Sequence, residues 1–298
     1  MELFKFLQSI TSELLFLYDH DAAQVIAFDI LQAATKKNRA QLLVEKNREI
    51  TKEEKKIVRL ILERHLQKHE PLAYIFGTMP FLDLMFIVRP PVLIPRPETE
   101  EWTHKVIAQL KKLSPKEQKE LAILDLCTGS GCIGISLAHA FPFAQVDAVD
   151  KADHAILLAK ENAQKNGIKN IQFFLGDLFQ PLPTDKKYDL IVANPPYIDG
   201  QAWESIEPSV KNWEDYDALV AQDHGMYLVK KIITEASKNL KKHSSLDTYG
   251  IKRVWIEIGH DQGPESLDFC KKSGYSNAKI AQDYMHVNRL ILGTPDIM

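Results

Sequence analysis

The sequence predicts an α/β protein in which a mostly parallel, doubly wound sheet follows a small helical domain. Short apolar runs alternate with helical patterns from residue 121 onward, whereas residues 1–72 show helical patterns alone. The first apolar run leads into a glycine-rich loop, Gly129-Ser130-Gly131-Cys132-Ile133-Gly134, which precedes a helix. Strands that alternate with helices are typical of a parallel sheet, and such a loop is typical of Rossmann-like folds.

The composition is that of an ordinary globular protein, because 26% of the 298 residues are charged and 45% are hydrophobic. The formal net charge of −3 argues against stable binding to nucleic acid. Three cysteines, Cys127, Cys132 and Cys270, form neither a disulfide framework nor a zinc motif, so we expect no metal and a reducing compartment, cytoplasmic or else organellar. No apolar run is long enough to cross a membrane, and the first 21 residues lack signal-peptide features. We also expect a monomer.

The first two helices are predicted from apolar periodicity. The first should bury five apolar residues that recur at helical spacing: Leu3, Leu7, Ile10, Leu14 and Leu17. Asp19 or Asp21 should cap the second, because both carry the short carboxylate that accepts from free N–H groups at a helix start. Its inward residues should be Ala22, Val25, Ile26 and Ile30.

Two further helices should complete the helical domain. A short one is expected over residues 39–44. A capping box, Thr51-Lys52-Glu53-Glu54, should open a longer one, which Pro71 stops. Its inward residues should be Ile57, Leu60, Ile61 and Leu66.

Residues 73–97 are predicted to form a β-hairpin linker, because apolar residues alternate there between Gly77 and Val88. The arm that follows, Ile94-Pro95-Arg96-Pro97-Glu98-Thr99-Glu100, should be extended at its prolines and then enter a helix that runs to about residue 112. Arg96 lies between two prolines, so it belongs either to a plain linker or to the wall of a ligand pocket.

Residues 98–298 are predicted to form the sheet domain. Strands are expected over 122–126, 145–150, 171–175, 188–193, 254–258 and 287–292, with a further one near Ile280. Helices are expected over 133–140, 226–240 and 265–272, and Asp153 should cap another that Gly167 closes. Ligands of such sheets bind at the carboxyl ends of the strands, so the loops after the strands are the candidate site.

Three acids occur at or near the ends of successive strands. The glycine-rich loop with Asp150 about 20 residues beyond its start is the dinucleotide fingerprint, in which the acid binds ribose hydroxyls. Asp125 would repel a pyrophosphate but could accept from an ammonium group, and Asp177 could accept from an adenine amine. S-adenosylmethionine carries both groups and therefore fits better than a nicotinamide dinucleotide, which is the alternative.

A rigid polar turn, Asn194-Pro195-Pro196-Tyr197, follows the strand predicted at 188–193. Proline has no N–H for a sheet ladder, so the strand ends there. The Asn194 side chain offers one acceptor and two donors, the prolines fix the direction of the neighbouring carbonyl, and Tyr197 offers a flat face. This combination suits a planar group that carries an NH₂, either an amide or the exocyclic amine of a base.

Three motifs of the chain, in their order, resemble those of the PrmC/HemK protein-glutamine N5-methyltransferases. They are the arm at 94–100, the run Leu124-Asp125-Leu126-Cys127-Thr128-Gly129-Ser130-Gly131 and the turn Asn194-Pro195-Pro196-Tyr197-Ile198. The resemblance covers nearly the whole chain. The turn alone is less specific, because enzymes that methylate adenine and guanine amino groups share it. The arm joined to the turn is much more specific.

The resemblance implies a class I S-adenosylmethionine-dependent methyltransferase that modifies the glutamine of the Gly-Gly-Gln motif in class 1 peptide chain release factors. It implies that residues 1–72 recognise the release factor. The implied cofactor contacts are Asp125, Cys127, Thr128, Gly129, Ser130, Gly131, Asp150, Asp177, Leu178 and Asn194. The implied substrate contacts are Arg96, Asn194, Pro195, Pro196 and Tyr197, among which Asn194, Pro195 and Tyr197 are catalytic.

Two positions depart from the family pattern. Cys127 stands where the usual loop has a glycine, so we expect an ordinary backbone conformation at this residue. Leu178 stands where some members have an aromatic residue, so adenine stacking should be weaker.

Other functions predict different sequences. A nucleic-acid methyltransferase that modifies adenine N6 or guanine N2 is the main alternative, and it predicts a basic surface or an RNA-binding module. A binding module without activity predicts degraded motifs, whereas both motifs are intact here. A dehydrogenase gives no reason for the turn at 194–197.

Overall fold

A computed structural model describes residues 1–296, and the chain divides into two compact units, Met1–Phe76 and Gly77–Met298. Within the described residues, no helix is both long and apolar enough to cross a membrane.

The first unit is entirely helical apart from one short bridge between Glu2 and Glu49. Its helices are α1 (Leu3–Leu14), α2 (His20–Thr35), α3 (Arg39–Val44), α4 (Lys52–Leu62), which continues into a π-helical turn (Glu63–Gln67), and α5 (Leu72–Phe76). Asp19 caps α2, and the Thr51 hydroxyl accepts from the Glu54 N–H at 3.1 Å while the Glu54 carboxylate accepts from the Thr51 N–H at 2.8 Å. The predicted helices, the cap and the capping box are therefore confirmed.

Three of the apolar residues assigned to this core are instead exposed: Leu17, Val25 and Leu60. Leu17 falls beyond the end of α1 at Leu14, so it lies in the turn. The other two lie outside the buried stripes of their helices. The buried residues of α2 are Ala23, Ala27, Phe28, Ile30, Leu31 and Ala34, and those of α4 are Val58, Ile61 and Leu62.

The second unit opens with the predicted hairpin, which pairs β1 (Thr78–Phe81) with β2 (Leu84–Ile87) in antiparallel register. Helix α6 (Pro97–Leu110) follows the arm, with Pro97 in its first turn, where a missing N–H costs no hydrogen bond. A short helix, α7 (Pro115–Lys119), leads into the sheet.

In chain order the remaining strands are β3 (Ala122–Leu126), β4 (Gln145–Asp150), β5 (Ile171–Leu175), β6 (Leu190–Ala193), β7 (Ile198–Asp199), β8 (Val220–Ala221), β9 (Val254–Glu257), β10 (Lys279–Gln282) and β11 (Asn288–Gly293). The main sheet has seven of these strands in the order β10-β11-β9-β6-β3-β4-β5, and β7 and β8 pair with each other outside it. The five strands from β9 to β5 run parallel, and β11 and β10 complete one edge in antiparallel register. The class I methyltransferase-type sheet is therefore confirmed.

The helices of this unit cover both faces of the sheet. They are α8 (Cys132–Ala140), α9 (Asp153–Lys165), α10 (Pro208–Lys211), α11 (Tyr216–Leu219), α12 (Tyr227–Asn239), α13 (Ser245–Thr248) and α14 (Gly263–Lys272). In β3, Ile123 packs into one hydrophobic cluster and Leu124 into another on the opposite face. Burial on both faces explains why the parallel strands read as continuous apolar runs.

Two predicted details are wrong. Asp153 does not cap α9, because the helix starts at that residue and Ala152 occupies the cap position. The Ala152 N–H instead bonds to the Asp150 carboxylate at 2.9 Å. Strand β6 begins at Leu190 rather than at Tyr188, which forms a single bridge with Leu240.

The order of strands places the candidate site. From β3, the chain moves outward to β4 and β5 and then returns to β6 on the other side of β3. The carboxyl ends of β3 and β6 therefore flank the point where the winding reverses, which is where ligands of such sheets bind.

Candidate functional site

The glycine-rich loop after β3 is held against the end of β4 by one carboxylate. Asp150 accepts the Gly129 N–H through Oδ2 at 2.8 Å and the Ala152 N–H through Oδ1 at 2.9 Å. Burial raises the pKa of Asp150, and these two hydrogen bonds oppose the increase. Each oxygen retains a lone pair, so Asp150 can still accept from a pair of hydroxyls on a ligand.

Gly129 shapes the floor of the site. Its φ of +56° lies in the left-handed region that side chains disfavour. A Cβ at this position would meet no atom within 4 Å, so it would point into open space. The absence of a side chain here therefore leaves room for a ligand to approach the backbone.

Asp125 is entirely buried behind this loop and does not line the cavity. Its Oδ2 accepts from the Thr128 hydroxyl at 2.5 Å and from the Gly134 N–H at 2.9 Å. Among residues 1–296, its Oδ1 has no hydrogen-bond partner. Burial raises the pKa of Asp125 to about 7. In the structure Asp125 holds the loop to helix α8, and its direct contact with a cofactor stays a prediction.

The prediction of an ordinary conformation at Cys127 is wrong. Its φ is +58°, in the left-handed region, and Leu178 after β5 has a φ of +48°. The chain leaves β3 at Cys127, and the next N–H, that of Thr128, bonds to the Val149 carbonyl of the neighbouring strand β4 at 3.0 Å. This conformation costs a non-glycine residue roughly 1–2 kcal/mol. Burial raises the pKa of the Cys127 thiol well above its usual range, so the thiol is neutral.

A cavity of about 960 Å³ lies over these loops. Six of the predicted cofactor residues line it: Cys127, Gly129, Asp150, Asp177, Leu178 and Asn194. Thr128, Ser130 and Gly131 are buried behind the lining and shape the turn from within. The volume is in the range of ligand pockets that hold a nucleoside-sized molecule.

The side of the cavity near β5 combines an acid with an apolar surface. Lys231 donates to Asp177 Oδ2 at 2.6 Å, which leaves Oδ1 free to accept from a ligand amine. Leu178 is buried and contributes a hydrophobic wall. With Asp150 as an acceptor for hydroxyls and Asp177 as an acceptor for an exocyclic amine, the cavity fits an adenosine group.

A second, smaller cavity of about 260 Å³ adjoins the turn at 194–197. Asn194 and Pro196 line both cavities, and Arg96, Pro195 and Tyr197 line the smaller one. All five predicted substrate residues therefore meet at one place. The turn forms the partition between the two spaces.

Arg96 is fixed in the wall of the smaller cavity by an ion pair. Its guanidinium donates to both oxygens of Glu214, at 2.7 and 2.6 Å. The Glu214 carboxylate is buried; burial raises its pKa, and the charge of Arg96 opposes the increase. Of the two interpretations of the arm, the structure favours the pocket wall, because this pair joins the arm to the segment before α11.

Three residues that sequence reasoning missed hold the turn in place. The Asn194 Nδ2 donates to Thr99 Oγ1 at 3.2 Å, the Tyr197 hydroxyl donates to Glu257 Oε1 at 3.1 Å, and the Gln262 side chain donates to the Tyr197 carbonyl at 2.8 Å. Glu257 ends β9, so the argument that singled out Asp150 at the end of β4 could have found it. Gln262 gave no such signal.

The backbone of the turn also depends on a close approach. A Cβ on Gly225 would lie 2.0 Å from the Tyr197 carbonyl oxygen, and the φ of Gly225 is +82°. A side chain here would displace the turn, so the glycine before α12 is required for its position.

Two family models match the chain. One, described as "Methyltransferase small domain", matches residues 105–210, and the other, "PrmC N-terminal domain", matches residues 7–77. The second match covers nearly the whole helical unit, and the first runs from within α6 to within α10 and includes the glycine-rich loop and the turn.

Curated proteins are similar over most of the chain. A release factor glutamine methyltransferase of Thermodesulfovibrio yellowstonii is 35% identical over 266 residues, 89% of this chain and 90% of the relative. One of Aliivibrio fischeri is 36% identical over 289 residues, 96% of this chain and 94% of the relative. Among solved structures, the hMettl16 catalytic domain superposes with a TM-score of 0.50 at 15% identity, covering 81% of this chain and 82% of that one, and this likeness concerns the fold alone.

Proposed function

The chain belongs to the family of release factor glutamine methyltransferases, and we propose that it methylates the side-chain amide nitrogen of the glutamine in the Gly-Gly-Gln motif of a class 1 peptide chain release factor. The observation that carries this proposal is that Asn194 lines two adjoining cavities. The larger is sized for a nucleoside cofactor, and the smaller adjoins an acceptor group suited to an amide. A transferable methyl group and its acceptor would therefore meet at one side chain.

S-adenosylmethionine is the cofactor, and when bound it supplies an electrophilic methyl group on its sulfonium. Asp150 would hold the ribose hydroxyls, because its carboxylate faces the cavity with free lone pairs. Asp177 would accept from the adenine amine, and Leu178 would cover the base. The larger cavity thus contains residues that fit each part of the nucleoside.

The glutamine amide is a poor nucleophile, because its nitrogen lone pair is delocalised into the carbonyl group. The Asn194 side-chain oxygen and the Pro195 carbonyl would each accept one N–H of this amide. This would direct the nitrogen towards the methyl group and favour its pyramidalisation, while Tyr197 packs against the amide plane. Most of the rate enhancement would come from positioning and from dipoles aimed at the developing positive charge.

The helical unit is proposed to recognise the release factor. Its support is the match of residues 7–77 to the family's N-terminal domain and the exposure of large apolar side chains such as Phe16, which is 89% exposed. Exposed apolar residues are common at protein–protein contacts. The monomeric state and the cytoplasmic location stay predictions.

The function can be tested with labelled S-adenosylmethionine and a class 1 release factor. We expect label on the wild-type factor and none on a factor in which the Gly-Gly-Gln glutamine is replaced by alanine. Label on both factors, or on neither, would contradict the proposal. A parallel reaction with single-stranded RNA and DNA tests the alternative, since label on adenine or guanine would indicate a nucleic-acid amino-methyltransferase.

A further inference from the structure

Glu257 lies behind the turn and is the acceptor for three side chains. It is 1% exposed. Its Oε2 accepts from the Thr99 hydroxyl and from the Trp102 indole N–H, both at 2.7 Å, and its Oε1 accepts from the Tyr197 hydroxyl. Thr99 and Trp102 belong to α6, whereas Tyr197 belongs to the turn. One buried carboxylate thus connects the arm helix to the site.

The direction of these hydrogen bonds constrains Asn194. Burial raises the pKa of Glu257, and the hydrogen bonds from Trp102, Thr99 and Tyr197 oppose the increase. Because both of its oxygens already accept from these side chains, the single hydroxyl proton of Thr99 is committed to Glu257. The Thr99 oxygen can then only accept from a further partner. That partner is the Asn194 Nδ2 at 3.2 Å. The Asn194 amide is therefore oriented with its NH₂ group towards Thr99 and its oxygen directed away from it.

The opposite orientation would prevent the proposed chemistry. With Nδ2 towards the substrate, Asn194 would present a donor to an amide that also needs to donate. An uncommitted threonine hydroxyl would permit this orientation, because it could donate to the Asn194 oxygen instead. The Glu257–Thr99 hydrogen bond removes that freedom.

We propose that Thr99 and Glu257 are positioning residues that fix the Asn194 side chain with its oxygen presented to the substrate amide. This inference rests on the proposed function of Asn194. The same carboxylate also binds the Tyr197 hydroxyl, so both ends of the turn are set by one group. The pairing of β9 with β6, in which Ile256 lies opposite Ala193, brings the carboxylate to this place.

The decisive variant is Thr99→Val, which keeps the shape of the side chain but removes the hydroxyl. We expect kcat to fall roughly 10- to 100-fold, because the amide is no longer held in one orientation. The dissociation constant of the cofactor should stay within about twofold, and Thr99→Ser should restore kcat to within about threefold of the wild type. Thr103→Val is the matched control. Thr103 is buried one turn further along α6, and its hydroxyl bonds to the Thr99 carbonyl at 2.7 Å, so kcat should be unchanged.

A double-mutant cycle distinguishes positioning from general damage. If Thr99 acts through Asn194, Thr99→Val should cause no further loss of kcat in an Asn194→Ala background. An additional loss of the same size in that background, an equal loss in Thr103→Val, or wild-type kcat in Thr99→Val would each overturn the proposal.

Glu257→Gln provides a second test that does not depend on how well Thr99→Val folds. Its amide oxygen can still accept from Thr99 and Trp102, and its NH₂ can donate to the Tyr197 oxygen, so kcat should stay within about threefold of the wild type. A folded Glu257→Gln protein as impaired as Asn194→Ala would overturn the proposal.

A readout independent of activity separates this inference from the proposed function. The side-chain NH₂ resonances of Asn194, assigned by their loss in Asn194→Ala, should be protected from hydrogen exchange in the wild type and should lose protection in Thr99→Val. If the wild type did not methylate the release factor, the proposed function would be wrong. Hydrogen exchange of the Asn194 side-chain amide would still report its hydrogen bond to Thr99. Equal exchange in both proteins would overturn the positioning role.

Discussion

The glycine-rich loop and the turn at 194–197 lie at the ends of neighbouring strands, but they are held in different ways. The loop is held by backbone N–H groups that bond to carboxylates near the ends of adjacent parallel strands, Asp125 and Asp150. The turn is held by side chains from α6, β9 and the residue before α14, which lie 95, 60 and 65 residues away along the chain. The partners of the loop therefore lie 9 and 21 residues away along the chain, whereas those of the turn are brought to it by packing between distant elements.

The largest effect expected from this difference follows removal of the side chain that the turn presents. Asn194→Ala should lower kcat by about 10²–10³-fold, because an acceptor positioned for the reacting amide is lost. The dissociation constant of the cofactor should change by no more than a few-fold, since the adenosine-binding groups lie on the loops. Steady-state kinetics with a release factor and calorimetry with S-adenosylmethionine would measure the two quantities.

Two control variants sharpen this prediction. Asn277→Ala removes an exposed side chain that bonds to the backbone at Thr294 and should leave kcat unchanged. Asp150→Asn should show the opposite pattern, with a roughly 10-fold weaker cofactor affinity and a similar kcat at saturating cofactor, because one of its two backbone N–H groups loses a good acceptor. Wild-type activity in Asn194→Ala would remove the proposed role of the turn.

The same contrast explains which features could be predicted from the sequence. The helices and strands were predictable because apolar periodicity is a local property, and Asp150 was predictable because the end of a strand is visible in the sequence. The partners of Asn194 and Tyr197 were not, because Thr99 and Glu257 become neighbours only when α6 packs on the sheet. The positive φ of Cys127 was missed because the residue type argued against it, whereas the chain turns at this residue from β3 into the loop before α8.

A second expected effect concerns the carboxylate that holds the loop. The pKa of Asp125 is raised from 3.8 to about 7 in the folded protein, so between these values the folded state binds a proton that the unfolded state has released. The free energy of unfolding should therefore fall as the pH rises, by about 2 kcal/mol between pH 5 and 7 from this group alone. In Asp125→Asn this contribution is absent, while the amide oxygen can still accept from Thr128 and Gly134.

Urea unfolding at pH 5, 6 and 7 would measure this contribution. All four tryptophans of the chain, Trp102, Trp203, Trp213 and Trp255, lie in the second unit, so their fluorescence reports the unit that contains Asp125. The free energy of unfolding of Asp125→Asn minus that of the wild type should increase as the pH rises. If the unfolding free energies of the two proteins changed with pH in parallel, the pKa of Asp125 would not be raised in the folded state.

The smallest effect tests whether backbone strain is stored in the loop. At most positions Gly is about 0.5–1 kcal/mol less stable than Ala, because it loses more backbone entropy on folding. At Cys127, with its φ of +58°, Gly relieves a left-handed conformation that Ala retains. We therefore expect Cys127→Gly to be at least as stable as Cys127→Ala, which reverses the usual order.

Cys132 is the control for this comparison, because it is also a cysteine and begins helix α8 just after the same loop. There the usual order should hold, with Cys132→Ala more stable than Cys132→Gly by about 0.5–1 kcal/mol. Tryptophan fluorescence in urea would give all four unfolding free energies. The same order at both positions would show that the left-handed turn at Cys127 carries no measurable strain, so that the loop tolerates a side chain there as readily as a glycine.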